Sequence, residues 1–539
     1  NQPCTKVPRF QMNKSEDGPK TCRDDPWDAR FRYLTEGRFM PNFKRGVLRN
    51  MQMYDPYVKT ALEHFDDELR QSLKGYTRRP GDEYAMLASL KKYDTPAFKH
   101  TPQYRNDPRF AQCYDLAFAQ VRKDFKLRQK VIPTFVESVD LVEDTSSGYP
   151  HFTRKSSIKD KILKEARTYF HYAKEGPNHT PFLPCSVGVR GALSEVDNPK
   201  TRLVWMYPAA ITASEAVFAQ PLIEKYYSEK ADLFLTGINA RSRLANLASL
   251  IDGDDNIGVG LDFSSFDTFP VNDLIRKAFD ILADNIEFGY YWDPETGVQI
   301  AGTTDDRNFN RVKRRAEIAY STLVEYFIHT PILLPNGRTV YKHHGVPSGS
   351  HFTNLIDSIV NRLLIKTFEL YTNRRFKHLM TNGDDSAFLV NKENAEDILE
   401  DANTFFLHCF KMLVKPEKSV VADLASDMHM SGTRWNQALP YRPTQEWFQM
   451  ALYPTTFVSD EMLAFQRLLG IGIAGAFRDP TYCRFFDFFQ SAYDCRKDKM
   501  LNWRRFKWLE YGFGIEDLPK VYKQKSRLAQ KLRTLLFNP

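Results

Sequence analysis

Between positions 256 and 263 the chain alternates strictly. Ile257, Val259, Leu261 and Phe263 are apolar, and Gly258, Gly260 and Asp262 fill the places between them. A period of two predicts a strand with one face in the core. The other face carries no side chain until Asp262, so its two glycines are expected to let a bulky ligand approach the sheet. Helical spacing then takes over. A helix is expected from Asn272, and a longer one from Ser350 to about Tyr371 that buries Phe352, Leu355, Ile356, Ile359, Val360, Leu363 and Leu364. Along that helix Thr353, Asp357 and Asn361 recur at i, i+4 and i+8 as a second, polar stripe. Two apolar runs flank Asn382-Gly383-Asp384-Asp385-Ser386 and predict a hairpin there, with another helix over 393–410. Upstream, helical spacing covers 58–73 and 115–129, a Gly/Pro-punctuated stretch fills 146–202, and 211–247 reads as mostly helical. Beyond Arg442 the chain turns helical and aromatic. The mixture over 256–421 predicts an α+β core with helices on one face of a small sheet. Residues 1–60, rich in Pro, Lys, Arg and Asp with weak periodicity, are expected to wrap as an extended arm.

Composition adds bounds. A chain of 539 residues can bury a large core and hold several subdomains, and 42% apolar with 26% charged residues is a globular balance. The net charge of +8 (75 Lys+Arg against 67 Asp+Glu) is compatible with an anionic polymer partner and does not demand one. Seven scattered cysteines without a CxxC pair argue against a disulfide framework or a thiolate zinc site, and suit a reducing compartment. No apolar stretch approaches the ~20 residues that span a bilayer, so no membrane partner is expected. The amino terminus has no signal-peptide profile, and it begins at Asn1, which leaves trimming or a polyprotein origin open. The last twenty residues carry Lys520, Lys523, Lys525, Arg527, Lys531 and Arg533. They read as a solvated amphipathic helix, with RNA or membrane contact as the alternative.

The candidate chemistry lies at carboxylates. Asp384 and Asp385 form an acceptor-only pair that is costly unless a positive group, such as a divalent metal, sits on it. Taken alone, the same turn also fits an ordinary surface hairpin. Asp262 at a strand end, before Ser264-Ser265, fits both a helix cap and a catalytic acid. Asp267 lies past the strand, so it need not share a metal with Asp262 and suits a second polar role beside it. The loop His343-His344-Gly345-Val346-Pro347-Ser348-Gly349-Ser350 leads into the long helix, and its histidines are assigned no role. Short, stiff donors and acceptors such as those of the polar stripe suit reading a sugar hydroxyl.

Taken in order, Asp262-x4-Asp267, then Pro347-Ser348-Gly349-x3-Thr353 with Asn361, then Gly383-Asp384-Asp385 resemble the palm motifs of viral RNA-dependent RNA polymerases. Ser146-Ser147-Gly148-Tyr149-Pro150 is similar to the SxGxP template-binding motif of that family. Lys200-Thr201-Arg202 before Leu203-Val204-Trp205, joined by Arg190, resembles the basic fingers segment over the incoming nucleotide. Lys418 stands where the family carries a lysine taken as general acid for pyrophosphate, and Gly432-Thr433-Arg434-Trp435 where the primer-grip hairpin falls. The matches span about 146–435, and chain size and the motif contexts are most similar to partitiviruses, with picobirnaviruses next. One departure is Asp357, where many positive-strand relatives carry Asn; the resemblance therefore does not fix its exact contact to the ribose, though an Asp can still accept from a hydroxyl.

The resemblance implies a right-hand fold of fingers, palm and thumb closed by an N-terminal arm. It implies divisions at 1–130 (arm and fingers–thumb bridge), 131–250 (fingers), 251–435 (palm with an inserted fingers segment) and 436–539 (thumb and C-terminal helices). Asp262, Asp384 and, more loosely, Asp385 would hold two Mg²⁺ ions, or Mn²⁺. Lys200, Arg202 and Arg190 would bind the triphosphate. Asp267, Ser348, Gly349, Thr353, Asp357 and Asn361 would shape the nucleotide site and read its 2′-hydroxyl. Ser146, Ser147, Gly148 and Pro150 would touch the template. Implied partners are template RNA and product duplex, nucleoside triphosphates and a capsid protein, in the virion interior and host cytoplasm. Two alternatives remain. A reverse transcriptase shares the metal acids but, by the same resemblance, has a bulky aromatic where Asp267 stands. An inert RNA-binding protein that kept the fold is disfavoured by intact Asp262, Asp384 and Asp385.

Overall fold

The computed structural model of the chain describes residues 25–40, 54–78, 82–96, 106–230, 233, 246–251, 255–293, 295–301, 306–430, 433–436, 439–493 and 529–530. All six basic C-terminal residues named above, residues 1–24 and 41–53 of the expected arm, and Gly432 lie outside that set. Thr433 falls on the strand Thr433–Asn436 of a three-stranded antiparallel sheet.

The alternating segment forms the strand Asn256–Gly260, inside a four-stranded antiparallel sheet of spatial order Lys377–Asn382, Asp385–Asn391, Asn256–Gly260, Val420–Ala422. Ile257, Val259, Leu261 and Phe263 enter the main core, as the alternation requires. On the other face the expectation is corrected. A Cβ on Gly258 would lie 2.6 Å from Ile251 Cδ1 and 3.0 Å from Met428 Sδ, so this glycine makes room for apolar side chains rather than for a ligand. Those two pack with Leu247, Met380, Ala387, Leu389 and Ala422 in a separate cluster.

The long helix is Thr353–Tyr371, starting three residues later than expected because Ser350 is committed to a loop contact described below. Two of the three residues of its polar stripe are also buried, Asp357 at 4% exposed and Asn361 fully enclosed, while Thr353 is half-buried. The helix around 58–73 is two, Pro56–Phe65 and Asp67–Ser72. They break at Asp66, which caps the second by accepting from the Leu69 N–H. The helix expected at 115–129 runs Pro108–Asp124, with Asp107 as its cap.

A second sheet, of five strands, has the order Thr35–Glu36, Thr339–Tyr341, Pro331–Leu333, Cys185–Ala192, Lys200–Met206. Its third and fourth strands run parallel, joining residues from either side of the Asn256–Gly260 strand. The N-terminal residues reach two places. Residues 35–36 pair with this sheet, while Val58, Ala61 and Leu62 pack into an aromatic helical cluster with Trp447, Phe448, Phe465, Phe485 and Phe489. The fully buried Asp55 caps its helix there and pairs with Arg467.

Candidate active site

Asp262 follows the last paired residue of its strand. Its N–H donates to Ser419 Oγ (3.0 Å) and its carbonyl accepts from the Lys415 N–H (2.8 Å), so its backbone is held while its side chain stays 42% exposed. On the neighbouring strand Phe388 faces Val259, and continuing that register sets Asp385 beside Asp262. The turn between is tight. Gly383 takes φ +60°, where a glycine costs least. The long helix pins it: Asn361 Nδ2 donates to the carbonyls of Gly383 (3.0 Å) and Asp385 (3.2 Å), and the Gly383 N–H donates to Ser358 Oγ (2.9 Å). Asn361 therefore positions the acidic turn.

The carboxylates crowd one another. Burial pushes Asp384 up from the usual range; its own backbone N–H, Arg202 and Lys415 oppose that rise, and Asp262 adds to it. Burial, then the charge of Asp384, raises Asp267 to about 6, against Arg202. Asp357 is raised well above the carboxylate range by burial and by the charges of Asp267 and Asp384, and its Oδ1 has no hydrogen-bond partner. Asp267, Asp357, Asp384 and Asp262 thus converge at one end of the sheet, short of positive charge. Arg202 reaches them from the Lys200–Met206 strand. Arg190 lies directly opposite Arg202 in the register, and Lys200 is exposed at that strand's start. Lys415 Nζ lies 4.0 Å from Asp262 Oδ1. Lys418 is exposed in the same loop.

The Ser-Gly loop is locked to the five-stranded sheet. Ser348 Oγ accepts from the Trp205 N–H (3.3 Å), and a Cβ on Gly349 would sit 1.9 Å from the Trp205 carbonyl oxygen. Thr353 Oγ1 donates to the carbonyls of Pro347 (2.7 Å) and Ser350 (2.9 Å), so its proton serves the loop. From the other side, a Cβ on Gly148 would lie 2.4 Å from the Tyr207 carbonyl oxygen, and the Ala209 N–H donates to the Ser147 carbonyl (2.8 Å). Ser147 is buried, and Ser146 Oγ accepts from the Gly148 N–H (3.2 Å). Both serines shape their loop, while Pro150 lines a cavity beside it.

A family model of viral RNA-dependent RNA polymerases matches residues 47–490. The chain belongs to this family.

Among relatives it is similar to the RNA-directed RNA polymerase of Cryptosporidium parvum virus 1 (strain KSU-1), at 29% identity over 255 residues, covering 46% of this chain and 43% of that one. It is similar to the RNA-directed RNA polymerase of white clover cryptic virus 1 (24%, covering 34% and 30%). It also resembles a potential RNA-dependent RNA polymerase of human picobirnavirus (23%, covering 48% and 45%). The matches span less than half the length of these curated relatives. In fold it resembles the RNA-dependent RNA polymerase of a human picobirnavirus (TM-score 0.55, 16% identity, 90% of each chain). It likewise resembles the Sicinivirus 3Dpol polymerase (TM-score 0.59, 12% identity, 89% of this chain and 99% of that one). The fold is the right-hand polymerase fold.

In this viral polymerase fold, three contributors escaped the sequence pattern. Lys415 is a lysine three residues before the expected one. Tyr93, 5% exposed, donates to the Val346 carbonyl (3.2 Å) and stands edge-on to Trp205. Glu215 is fully enclosed on the helix Ala209–Glu229, accepting from Ser350 Oγ (2.9 Å) and the His351 N–H (2.9 Å). Only an acid set among the apolar residues of that helix's first half signals it in the sequence.

Burial raises the Glu215 carboxyl to about 8, against the bonds from His351 and Ser350. The folded state therefore holds a proton that the unfolded chain releases near pH 4.5, and stability falls as pH rises from there to about 8. Glu215→Gln removes that slope. Its melting temperature is expected to exceed the wild type's at pH 8.5 and to converge with it near pH 5; parallel pH–melting curves would contradict the assignment.

Among the described residues no set of three or more His, Cys, Asp or Glu side chains is arranged to hold a metal ion. The donors at the sheet end are nonetheless hard carboxylate oxygens whose charges act on one another, which fits a hard divalent cation.

Proposed function

We propose that the chain copies RNA, joining ribonucleotides to a growing strand on an RNA template, in the replication and transcription of a double-stranded RNA virus genome. The convergence of Asp262, Asp384, Asp267 and Asp357 with Arg202 carries this reading. The 3′-oxygen attacks the α-phosphorus of a nucleoside triphosphate, and pyrophosphate leaves in line. Asp262 and Asp384, with Asp385 more loosely, would hold two divalent cations, which when bound lower the pKa of the 3′-hydroxyl and offset the triphosphate charge. Arg202, with Lys200 and Arg190 on the same ribbon, grips the phosphates. Asp267 accepts from the ribose 2′-hydroxyl beside Asp357. Ser348, Gly349 and Thr353 fix the floor of that pocket, and Asn361 fixes the acidic turn. Lys418 gives the proton to pyrophosphate.

In domain terms, residues 131–250 act as fingers, 251–435 as palm with an inserted fingers segment, and 436–539 as thumb. The segment 1–130 bridges fingers and thumb; the double attachment of residues 35–36 and 56–65 supports that division. Partners are template and product RNA, nucleoside triphosphates and a viral capsid protein, within the virion in the host cytoplasm. No helix among the described residues is long and apolar enough to cross a membrane. The test is incubation of the purified chain with single-stranded RNA, Mg²⁺ or Mn²⁺ and either NTPs or dNTPs. Template-length RNA from NTPs supports the proposal, and preference for dNTPs would favour a reverse transcriptase.

Lys415 provides a separate check. As a cation 4.0 Å from Asp262 it opposes metal binding, so Lys415→Met is expected to tighten Mn²⁺ binding several-fold, on the order of 1 kcal/mol for unit charges about 4 Å apart in water. Paramagnetic titration of free Mn²⁺ measures this, and unchanged affinity would refute the role.

A further inference from the structure

The helix Glu83–Lys91 ends in the turn Lys92-Tyr93-Asp94-Thr95, whose four side chains are tied to separate segments of the fold. Asp94 accepts from the backbone N–H groups of Arg32 (2.9 Å), Tyr33 (2.5 Å) and Leu34 (2.9 Å), just before the strand Thr35–Glu36. Lys92 Nζ donates to Ser265 Oγ (3.0 Å), and Thr95 Oγ1 is hydrogen-bonded to His344 Nε2 (2.9 Å). Ser265 and His344 belong to the two loops that meet at Asp267.

The meeting point is Gly345-Val346. The Gly345 N–H donates to the Pro270 carbonyl (3.0 Å), and the Val346 N–H to the Asp267 carbonyl (2.7 Å). Two buried side chains hold the carbonyls of the same dipeptide. Lys342 Nζ donates to that of Gly345 (3.0 Å), and the Tyr93 hydroxyl to that of Val346 (3.2 Å). The contact is close on every side: a Cβ on Gly345 would lie 2.8 Å from the Asp267 carbonyl oxygen and 2.9 Å from Tyr93 Cε1.

Core packing accounts for the Tyr93 ring, which stands edge-on to Trp205 with centroids 5.0 Å apart. It does not account for the hydroxyl, since phenylalanine would fill the same space without burying a polar group. Burial, then the charge of Asp267, with Asp357 adding to it, keeps this hydroxyl protonated as a fixed donor. We infer that Tyr93 is a positioning residue for sugar selection: by holding Val346 it sets where Asp267 meets the ribose. The inference rests on the reading of Asp267 as acceptor for the 2′-hydroxyl. Small displacements matter at such a site, where a misplacement of about 1 Å from a remote change can cost about a hundredfold.

The test uses the full chain with Tyr93→Phe, which keeps the ring and removes the donor. The NTP-to-dNTP ratio of kcat/KM is expected to drop about tenfold, carried by a higher KM for NTPs. In an Asp267→Ala background the same substitution should lower the ratio no further, because the two residues act as one unit. An unchanged ratio in Tyr93→Phe, a parallel loss for NTPs and dNTPs, or a full additional drop in that background would overturn the inference. Equilibrium competition of GTP and dGTP against a fluorescent nucleotide analogue separates it from the polymerase reading. A wild type that prefers GTP, loses that preference in Tyr93→Phe, yet never extends RNA would overturn the polymerase reading and leave Tyr93 its role. A wild type that extends RNA while Tyr93→Phe selects sugars as before would do the reverse. No preference for GTP in the wild type, in binding or incorporation, would overturn both.

Discussion

Asp384→Ala is expected to lower RNA-templated ribonucleotide incorporation by about a thousandfold or more, the scale on which removal of one preorganised electrostatic group acts at a reacting centre. The charge of Asp384 is felt by both Asp267 and Asp357 while its own carboxyl is raised beside Asp262. Asp384→Asn keeps the shape and removes the charge, so it should fall with the alanine variant rather than rescue it. The fold should not suffer. Asn361 and Ser358 hold the turn through the backbone of Gly383 and Asp385, which neither substitution touches. Because Asp384 destabilises its acidic neighbours, the melting temperature of either variant is expected to equal or exceed the wild type's, the trade of stability for activity common at such sites. Incorporation kinetics alongside thermal melts check both halves. A folded, active variant would remove Asp384 from the chemistry, and a collapsed melting curve would assign it a structural role.

The second large effect falls on Asp267→Ala. A site built to hydrogen-bond a hydroxyl can reject its deoxy analogue by 10⁴–10⁵ because its own polar groups are otherwise left unpaired. Asp267 is half-buried and its charge acts on Asp357, and of the charges acting on Asp267 Arg202 favours its ionised form. Its backbone is fixed independently: its carbonyl accepts from the Val346 N–H (2.7 Å). The substitution therefore deletes a side chain without releasing the loop. The NTP-to-dNTP ratio of kcat/KM is expected to drop by about a hundredfold, while Mn²⁺ affinity changes far less. Unchanged sugar selectivity would refute the ribose-reading role.

The sequence carried the acidic sites further than the scaffolding around them. Alternation at 257–263 placed Asp262 at a strand end, and Gly383 marked the turn, because both depend on local backbone geometry. Asn361 was legible as part of a stripe, yet its work is to pin the Gly383 and Asp385 carbonyls across the fold, which no spacing encodes. The same limit explains Gly258. A glycine in a strand announces a close approach, but only packing shows that Ile251 and Met428 make it. Lys415 escaped because its proximity to Asp262 arises where the two chain segments meet through a backbone hydrogen bond. Glu215 reads as an oddity in an apolar helix until Ser350 and His351 are seen to bond to it.

The most direct measurement of the central claim is the dependence of incorporation on template sequence. Purified chain is given homopolymeric cytidylate RNA with Mn²⁺ and each NTP separately, and the trial is repeated with uridylate RNA. The account predicts that guanosine triphosphate alone is incorporated on the first template and adenosine triphosphate alone on the second, with dNTPs poorly used on both. Incorporation indifferent to template, or none with any nucleotide, would contradict it.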